Sequence, residues 1–411
     1  MLKYNPFKPG SIIHPGMFAG RLDELTILDK ALFQTSNGNP THFLIHGERG
    51  IGKSSLLMVV RDFARGELVS LYQNKYRFIT IGIELEPKDT YRDIICKLAR
   101  ELQRELDKSE AVRKALTDIW KFITNWEVLG VKYNRETAPT DAMLEELAEK
   151  LATISSKLKE DVQGIFLFID EADKAPAEAG LGELVKVLSE RLTKLGANNV
   201  GIGIIGISSV MKKMRDSHES SVRIFTPILL EPLLPKERDE VVQRGLIEAK
   251  TKNGFETTIT NGALQLISSW SEGYPHFIQQ YAYSVFDHDN DNNIDESDVV
   301  HALTKENGAL SLLGMRYFEN MYTDEIRSDD YRTVLQVIAQ HAPNSASRKQ
   351  IVAESGLKTH TVDNALVALK KRGSVIAQRG KAGQFHLPSR SFAVWIMAFK
   401  IIPNTKTPSR T

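Results

Sequence analysis

Residues 42–47 and the eight that follow dictate how this chain must begin to fold. His42-Phe43-Leu44-Ile45-His46 is a short apolar run of the kind that forms a buried strand. It leads directly into Gly47-Glu48-Arg49-Gly50-Ile51-Gly52-Lys53-Ser54, which satisfies G-x-x-x-x-G-K-[ST] at every fixed position. The glycines let main-chain N–H groups converge on phosphate oxygens, and the helix that opens at Lys53 aims its positive end at the same anion. The Lys53 ammonium supplies a point charge for the outer phosphates. The Ser54 hydroxyl is placed to ligate Mg2+, and Ser55 follows in the same first turn. Read blandly, the stretch is a glycine-rich turn before a helix. The strand before it and the helix after it favour nucleotide binding.

Ile165-Phe166-Leu167-Phe168-Ile169-Asp170-Glu171 supplies a second anchor. An apolar strand ending in Asp-Glu is the Walker B arrangement. Asp170 would hold hydrated Mg2+ opposite Ser54, and Glu171 would orient the attacking water. Acidic residues also end strands at solvent edges without any such role, but the upstream P-loop favours the functional reading. The letters Asp-Glu-Ala-Asp spell a helicase box, yet no other helicase motif accompanies them.

Composition narrows the classes. At 411 residues, two or three domains are expected. With Lys+Arg 53 against Asp+Glu 52, no global field exists, so a nucleic-acid surface has to be local. Cys96 is the single cysteine, which excludes an internal disulfide and a cysteine-cluster metal site. With no apolar run of membrane-spanning length and no signal-peptide core, a soluble cytoplasmic protein without membrane partners is expected.

Along the chain, Pro6, Pro9 and Pro15 make residues 1–17 an extended strap. Phe78 to Leu85 suits a second core strand, Tyr91 to Leu102 a helix, and Ala111 to Ile123 a further helix. Residues 126–140 read as a loop, and Trp120, Phe122 and Trp126 as packing. Leu144 to Leu158 is again amphipathic. Gly201 to Ile207 is a buried strand ending at Ser208-Ser209, and Arg223 precedes a last strand through Leu230. Arg223 is read either as an arginine finger for a neighbouring subunit's nucleotide or as a surface arginine paired locally. Helices follow from Pro235 to Lys250 and from Gly262 through Ala302, broken by Glu272-Gly273-Tyr274-Pro275-His276.

Asp287 to Asp298 places acidic or amide oxygens at loop positions one, three, five and nine, which resembles an EF-hand Ca2+ loop. Asn292 replaces its turn glycine and Asp298 its bidentate Glu. The other reading is an interhelical loop in which Asp295 caps the next helix. After a mixed connector, three helices (Tyr331 to Ala339, Ser347 to Ser355, Thr359 to Lys371) precede a glycine-tipped hairpin from Val375 to Leu387. That order makes a winged helix. Nine Lys/Arg, at 348, 349, 358, 370, 371, 372, 379, 381 and 390, face only Glu354 and Asp363 between Ser345 and Arg390. This local excess favours double-stranded DNA over a solvated face. Lys358, Thr359, His360 and Asn364 are the groups available to bases, while Lys371, Arg372, Arg379 and Lys381 suit phosphates. Binding is therefore expected to be mainly electrostatic.

With these motifs in order, the chain resembles the AAA+ ATPases, nearest the origin-recognition/initiator group and the STAND-type ATPases. Phe18-Ala19-Gly20-Arg21 looks like the box that borders the adenine in these families, and Gly273-Tyr274-Pro275 like the Gly-x-Pro element of the STAND lid. Pro275-His276 stands where initiators usually carry a sensor 2 arginine. The resemblance implies a five-stranded parallel α/β sheet ordered 5-1-4-3-2, a helical lid, a C-terminal winged helix, and Ser208 as sensor 1. The implied boundaries are strap 1–17, core 18–232, lid 233–305, connector 306–327, winged helix 328–402 and tail 403–411. The implied activity is ATP hydrolysis to ADP by an ATP- and Mg2+-dependent switch or assembly factor. In the ATP state it would form a homo-oligomer, bind DNA and meet further protein partners. Replication initiation, transposition and phage defence all accommodate it. The alternative is a STAND-like signalling ATPase whose winged helix docks proteins.

Overall fold

The computed structural model describes residues 3–12, 15–108, 114, 116–119, 121–122, 139–158, 162–378 and 380–401. The expected helix at 111–123, the loop at 126–140, Trp120, Trp126 and Arg379 lie wholly or largely outside them. The chain divides into two compact units. One is Ile12–Glu231, and the other joins Met1–Ser11 to Pro232–Thr411.

In the first unit, β1 (His42–Gly47), β2 (Phe78–Glu84), β3 (Gly164–Asp170), β4 (Val200–Gly206) and β5 (Phe225–Leu230) form one parallel sheet. Its order is β2-β3-β4-β1-β5, the 5-1-4-3-2 order expected from the family resemblance. The helices of this unit are α1 (Leu22–Ser36), α2 (Lys53–Arg65), α3 (Tyr91–Lys108), α4 (Thr140–Lys157), α5 (Leu181–Lys194) and α6 (Val210–Ser217). Because parallel strands need crossovers, both faces are covered, and β3 reads as a continuous rather than an alternating apolar run. Leu98 and Leu102 of α3, Leu147 and Leu151 of α4 and Leu188 of α5 pack with Ile165, Leu167 and Ile169 of β3 in one cluster. The alternate residues of β3 meet an aromatic layer in which Phe166 stacks on Phe43 and Phe168 at 5.4 and 5.1 Å between ring centroids. Gly201 and Gly203 of β4 make room for it, since a Cβ there would stand 2.3 and 2.5 Å from the Phe166 and Phe43 rings. Each buried Phe contributes about 1.5–3 kcal/mol relative to exposure.

The second unit contains α7 (Pro235–Asn253), α8 (Asn261–Ser271), α9 (Pro275–His288) and α10 (Glu296–Thr304), with a two-residue parallel pair β6 (Thr258–Ile259) and β7 (Asn293–Ile294). Residues 3–8 of the N-terminal strap pack here, on residues some 240–290 positions downstream. Phe7 is buried against Gly245 and Phe286, and Tyr4 exchanges main-chain bonds with the Asn253 side chain at 2.7 and 3.0 Å. Lys3 pairs with the buried Asp289 carboxylate at 3.1 Å.

The acidic loop Asp287–Asp298 resolves in favour of its capping alternative. Asp295 accepts the N–H groups of Ser297 and Asp298 at 2.8 and 3.0 Å, and Asp298 answers with a bond from the Asp295 N–H at 3.0 Å. These carboxylates therefore serve the start of α10, and Asp289 serves Lys3. Among the described residues no group of three or more His, Cys, Asp or Glu is placed to hold a metal ion. Asn292 takes the left-handed conformation, φ 66°, at the expected turn position.

Beyond it, α11 (Ala309–Leu313) runs into π-helical turns, Gly314–Phe318 and Asn320–Glu325. Then come α12 (Asp329–Gln340), α13 (Arg348–Ser355), α14 (Thr359–Lys371) and a small antiparallel sheet of β8 (Ala346–Ser347), β9 (Ile376–Ala377) and β10 (Gln384–His386). Strand β8 and a final helix, α15 (Arg390–Phe399), were not expected from sequence. The Trp395 of α15 lies against Gly314, where a Cβ would stand 1.8 Å from the indole nitrogen. Among the described residues no helix is long and apolar enough to cross a membrane.

Candidate functional site

The loop between β1 and α2 has the conformation its glycines permit. Gly50 and Gly52 take φ of 76° and 97°, values that a side chain disfavours, and Gly52 is the N-cap of α2. Glu48, Arg49 and Gly50 are exposed, whereas Ile51 is buried as the loop's apolar foot. Lys53, Ser54 and Ser55 are half-buried in the first turn of α2, whose opening N–H groups have no intrahelical partners. The Lys53 ammonium is turned back onto the carbonyls of Gly47 and Glu48, at 3.0 and 2.7 Å. Burial pushes its pKa down, against the pull of the Asp173, Glu171 and Asp170 carboxylates, with Arg49 adding a small further push down. The loop lysine and the acidic end of β3 thus lie within each other's field.

The Asp170 carboxyl is pushed above the ordinary carboxylate range, chiefly by burial and further by Glu171 and Glu84, while the Glu171 N–H and Lys53 hold it down. That N–H bonds Asp170 Oδ1 at 2.7 Å. Glu171 takes φ 51° and leans 3.6 Å from the Lys174 ammonium. A non-glycine residue held in this region is strained, which is a frequent property of functional turns. Asp170 is a hard oxygen donor in a desolvated site, and Ser54 is a second. A pair of protein oxygens completed by phosphate and water fits how Mg2+ is ordinarily held.

Neighbouring residues brace this end of the sheet. Asp173 is buried and accepts the Ile207 N–H at 2.8 Å, while Lys213 donates to the carbonyls of Asp173 and Ala175. Arg21, expected at the adenine, is itself buried. Its guanidinium donates to the Ile51 carbonyl and to Glu24, both at 3.1 Å, and so ties the start of α1 to the phosphate loop. Phe18 beside it is half-buried.

Residues 17–195 match the family model described as AAA ATPase domain. That segment is similar to an AAA ATPase domain. Among curated proteins no relative matches. Among solved structures, the Aeropyrum pernix ORC2 protein in ADPNP–ADP complexes is similar at 14% identity and TM-score 0.52, covering 93% of this chain and 95% of that one. Cdc6p from Pyrobaculum aerophilum follows at 14% identity and TM-score 0.47, covering 96% and 97%. The Aeropyrum pernix ORC1 protein in complex with DNA follows at 16% and 0.41, covering 92% of each chain. The ORC2 likeness shows a shared fold.

Within the first unit, Ser208 sits exposed in the turn after β4, and Arg223 is exposed in the 3-10 turn Ser221–Ile224 before β5. Pro275 belongs to the second unit, as the first residue of α9. His276 after it is desolvated among Phe277 and Tyr317, which holds its imidazole near a pKa of about 4, with Arg316 reinforcing the shift. Lys358, His360 and Lys371 are exposed along α14, and Lys381 is exposed in the hairpin turn. Arg372 is exposed too, but opens onto a cleft shared with Asp324, Glu325 and Tyr331.

Sequence reasoning missed Asp173, Lys213 and Val367. Asp173 was visible only as a letter of the Walker B run. Val367 drew no reading from sequence; it is 64% exposed.

Proposed function

We propose that this chain binds ATP with Mg2+ at the β1–α2 loop, hydrolyses it, and binds duplex DNA through its C-terminal winged helix. The approach of Lys53 to Asp170 and Glu171 across the carboxyl end of the sheet carries this reading. The main-chain N–H groups of Gly50 to Lys53 cradle the phosphates, and Lys53 exchanges its two loop carbonyls for phosphate oxygens. Ser54 and Asp170 hold the cation, which neutralises phosphate charge when bound. Glu171, on its strained turn, positions the attacking water and takes its proton. Ser208 contacts the terminal phosphate from the end of β4, Phe18 borders the base, and Arg223 completes a neighbour's site in a homo-oligomer. ATP occupancy then sets the state in which the winged helix holds DNA, as an assembly switch would.

A steady-state ATPase assay with and without duplex DNA tests the proposal as a whole. Mg2+-dependent turnover that rises with duplex is expected. Absence of turnover at saturating ATP removes the hydrolytic role. Turnover with no duplex bound at low salt moves the protein-docking, signalling alternative ahead.

A further inference from the structure

Helix α14 buries Val362, Ala365, Leu366 and Leu369 against its own module. At about 100° per residue, His360, Asn364, Val367 and Lys371 fall within an arc of roughly 60° on the opposite side. All four are exposed, Val367 at 64%. Core packing does not account for a valine there, since most of it is exposed and it is a weaker helix former than most residues. Exposed Lys358, Lys370, Lys371 and Arg372 lie on or beside the same helix. Asp363 is the only acid within it, and Arg348 holds both Asp363 oxygens, at 2.6 and 2.7 Å. The face is thus an apolar and amide centre in a cationic surround, complementary to a polyanion.

We infer that Asn364 and Val367 read A·T base pairs in the major groove, Asn364 by paired hydrogen bonds to adenine and Val367 by packing on the thymine methyl. This rests on the reading that the module binds duplex DNA. A carboxamide matches adenine's N6 donor and N7 acceptor, and the thymine methyl is the one apolar group on the groove's base edges. Residues three apart on a helix have Cβ atoms about 5–6 Å apart, against about 3.4 Å between successive base pairs, so the two reach neighbouring steps. The β-branched side chain is stiff about χ1, and its docking sacrifices little rotamer freedom.

The test uses the full-length chain with ATP. A duplex selected from a random library is compared with the same duplex carrying deoxyuridine for thymine, by fluorescence anisotropy. Wild type should enrich A·T steps and bind the deoxyuridine duplex roughly fourfold more weakly for each recognised thymine methyl that the substitution removes. Val367→Ala should lose that discrimination while keeping its salt dependence, and Val367→Thr, which keeps one methyl, should retain part of it. Asn364→Ala should relax the adenine preference. Equal wild-type affinity for thymine and deoxyuridine duplexes, or undiminished discrimination by Val367→Ala, overturns the inference while DNA binding stands. No duplex binding at low salt overturns both it and the reading beneath it.

Discussion

Asp173 accepts the main-chain N–H of Ile207 at 2.8 Å, joining the turn after β3 to the end of β4. The bond spans the two strand ends from which Glu171 and Ser208 project, with Ala172 N–H donating to the Ile205 carbonyl at 2.9 Å beside it. Asp173→Ala should therefore cost about 1–3 kcal/mol of stability and lower kcat more than it raises KM. Asp173→Asn, which keeps an acceptor oxygen, should restore most of both. Chemical denaturation and steady-state kinetics on the pair check this, and equal defects in the two variants count against a positioning role.

Lys53→Ala should abolish ATP binding, because the loop loses the ammonium that now bonds the Gly47 and Glu48 carbonyls. Glu171→Gln should bind ATP normally and turn it over slower by orders of magnitude. Calorimetry separates the two effects, and normal hydrolysis by the Gln variant would remove Glu171 as the base.

Arg223 lies exposed in the turn before β5. A finger supplied to a neighbour stabilises transition-state charge there and leaves binding at its own site alone. Arg223→Ala should keep nucleotide affinity and lose turnover only at concentrations where subunits associate. A rate per subunit that stays constant across the assembly range contradicts the trans role.

The Nδ1 of His42 accepts the Ile202 N–H at 3.1 Å, so the ring proton sits on Nε2, 3.1 Å from the Ser189 hydroxyl. Burial lowers this imidazole from 6.5 to about 4. The unfolded chain takes up the proton first as pH falls, so the stabilisation is complete above 6.5 and declines down to about 4. Between pH 7 and 5 the loss should be roughly 2 kcal/mol. Urea titrations at the two values, on wild type and His42→Asn, should show a smaller pH effect in the variant.

On the hairpin turn, Lys381 is exposed and free to meet a phosphate. Reversal to Glu should weaken unrelated duplexes by similar factors and reduce the slope of log affinity against log salt by about one. An unchanged slope places the turn outside the interface.

The sequence by itself determined whatever depends on neighbours along the chain. The strand–loop–helix of residues 42–54 and the apolar run ending at Asp170-Glu171 are local, because main-chain conformation and adjacent side chains suffice to specify them. The sheet order came through family resemblance, as no local pattern states which strands pair. Only the tertiary structure decided the partners of residues distant in sequence. Arg21 meets Ile51, Lys3 meets Asp289, and His42 meets Ile202. The helical period of α14 already separated Val367 from Val362 and Leu366, but an apolar letter is the same on either face. Only burial, which is set by what packs against a side chain, distinguishes a core valine from one left for a ligand.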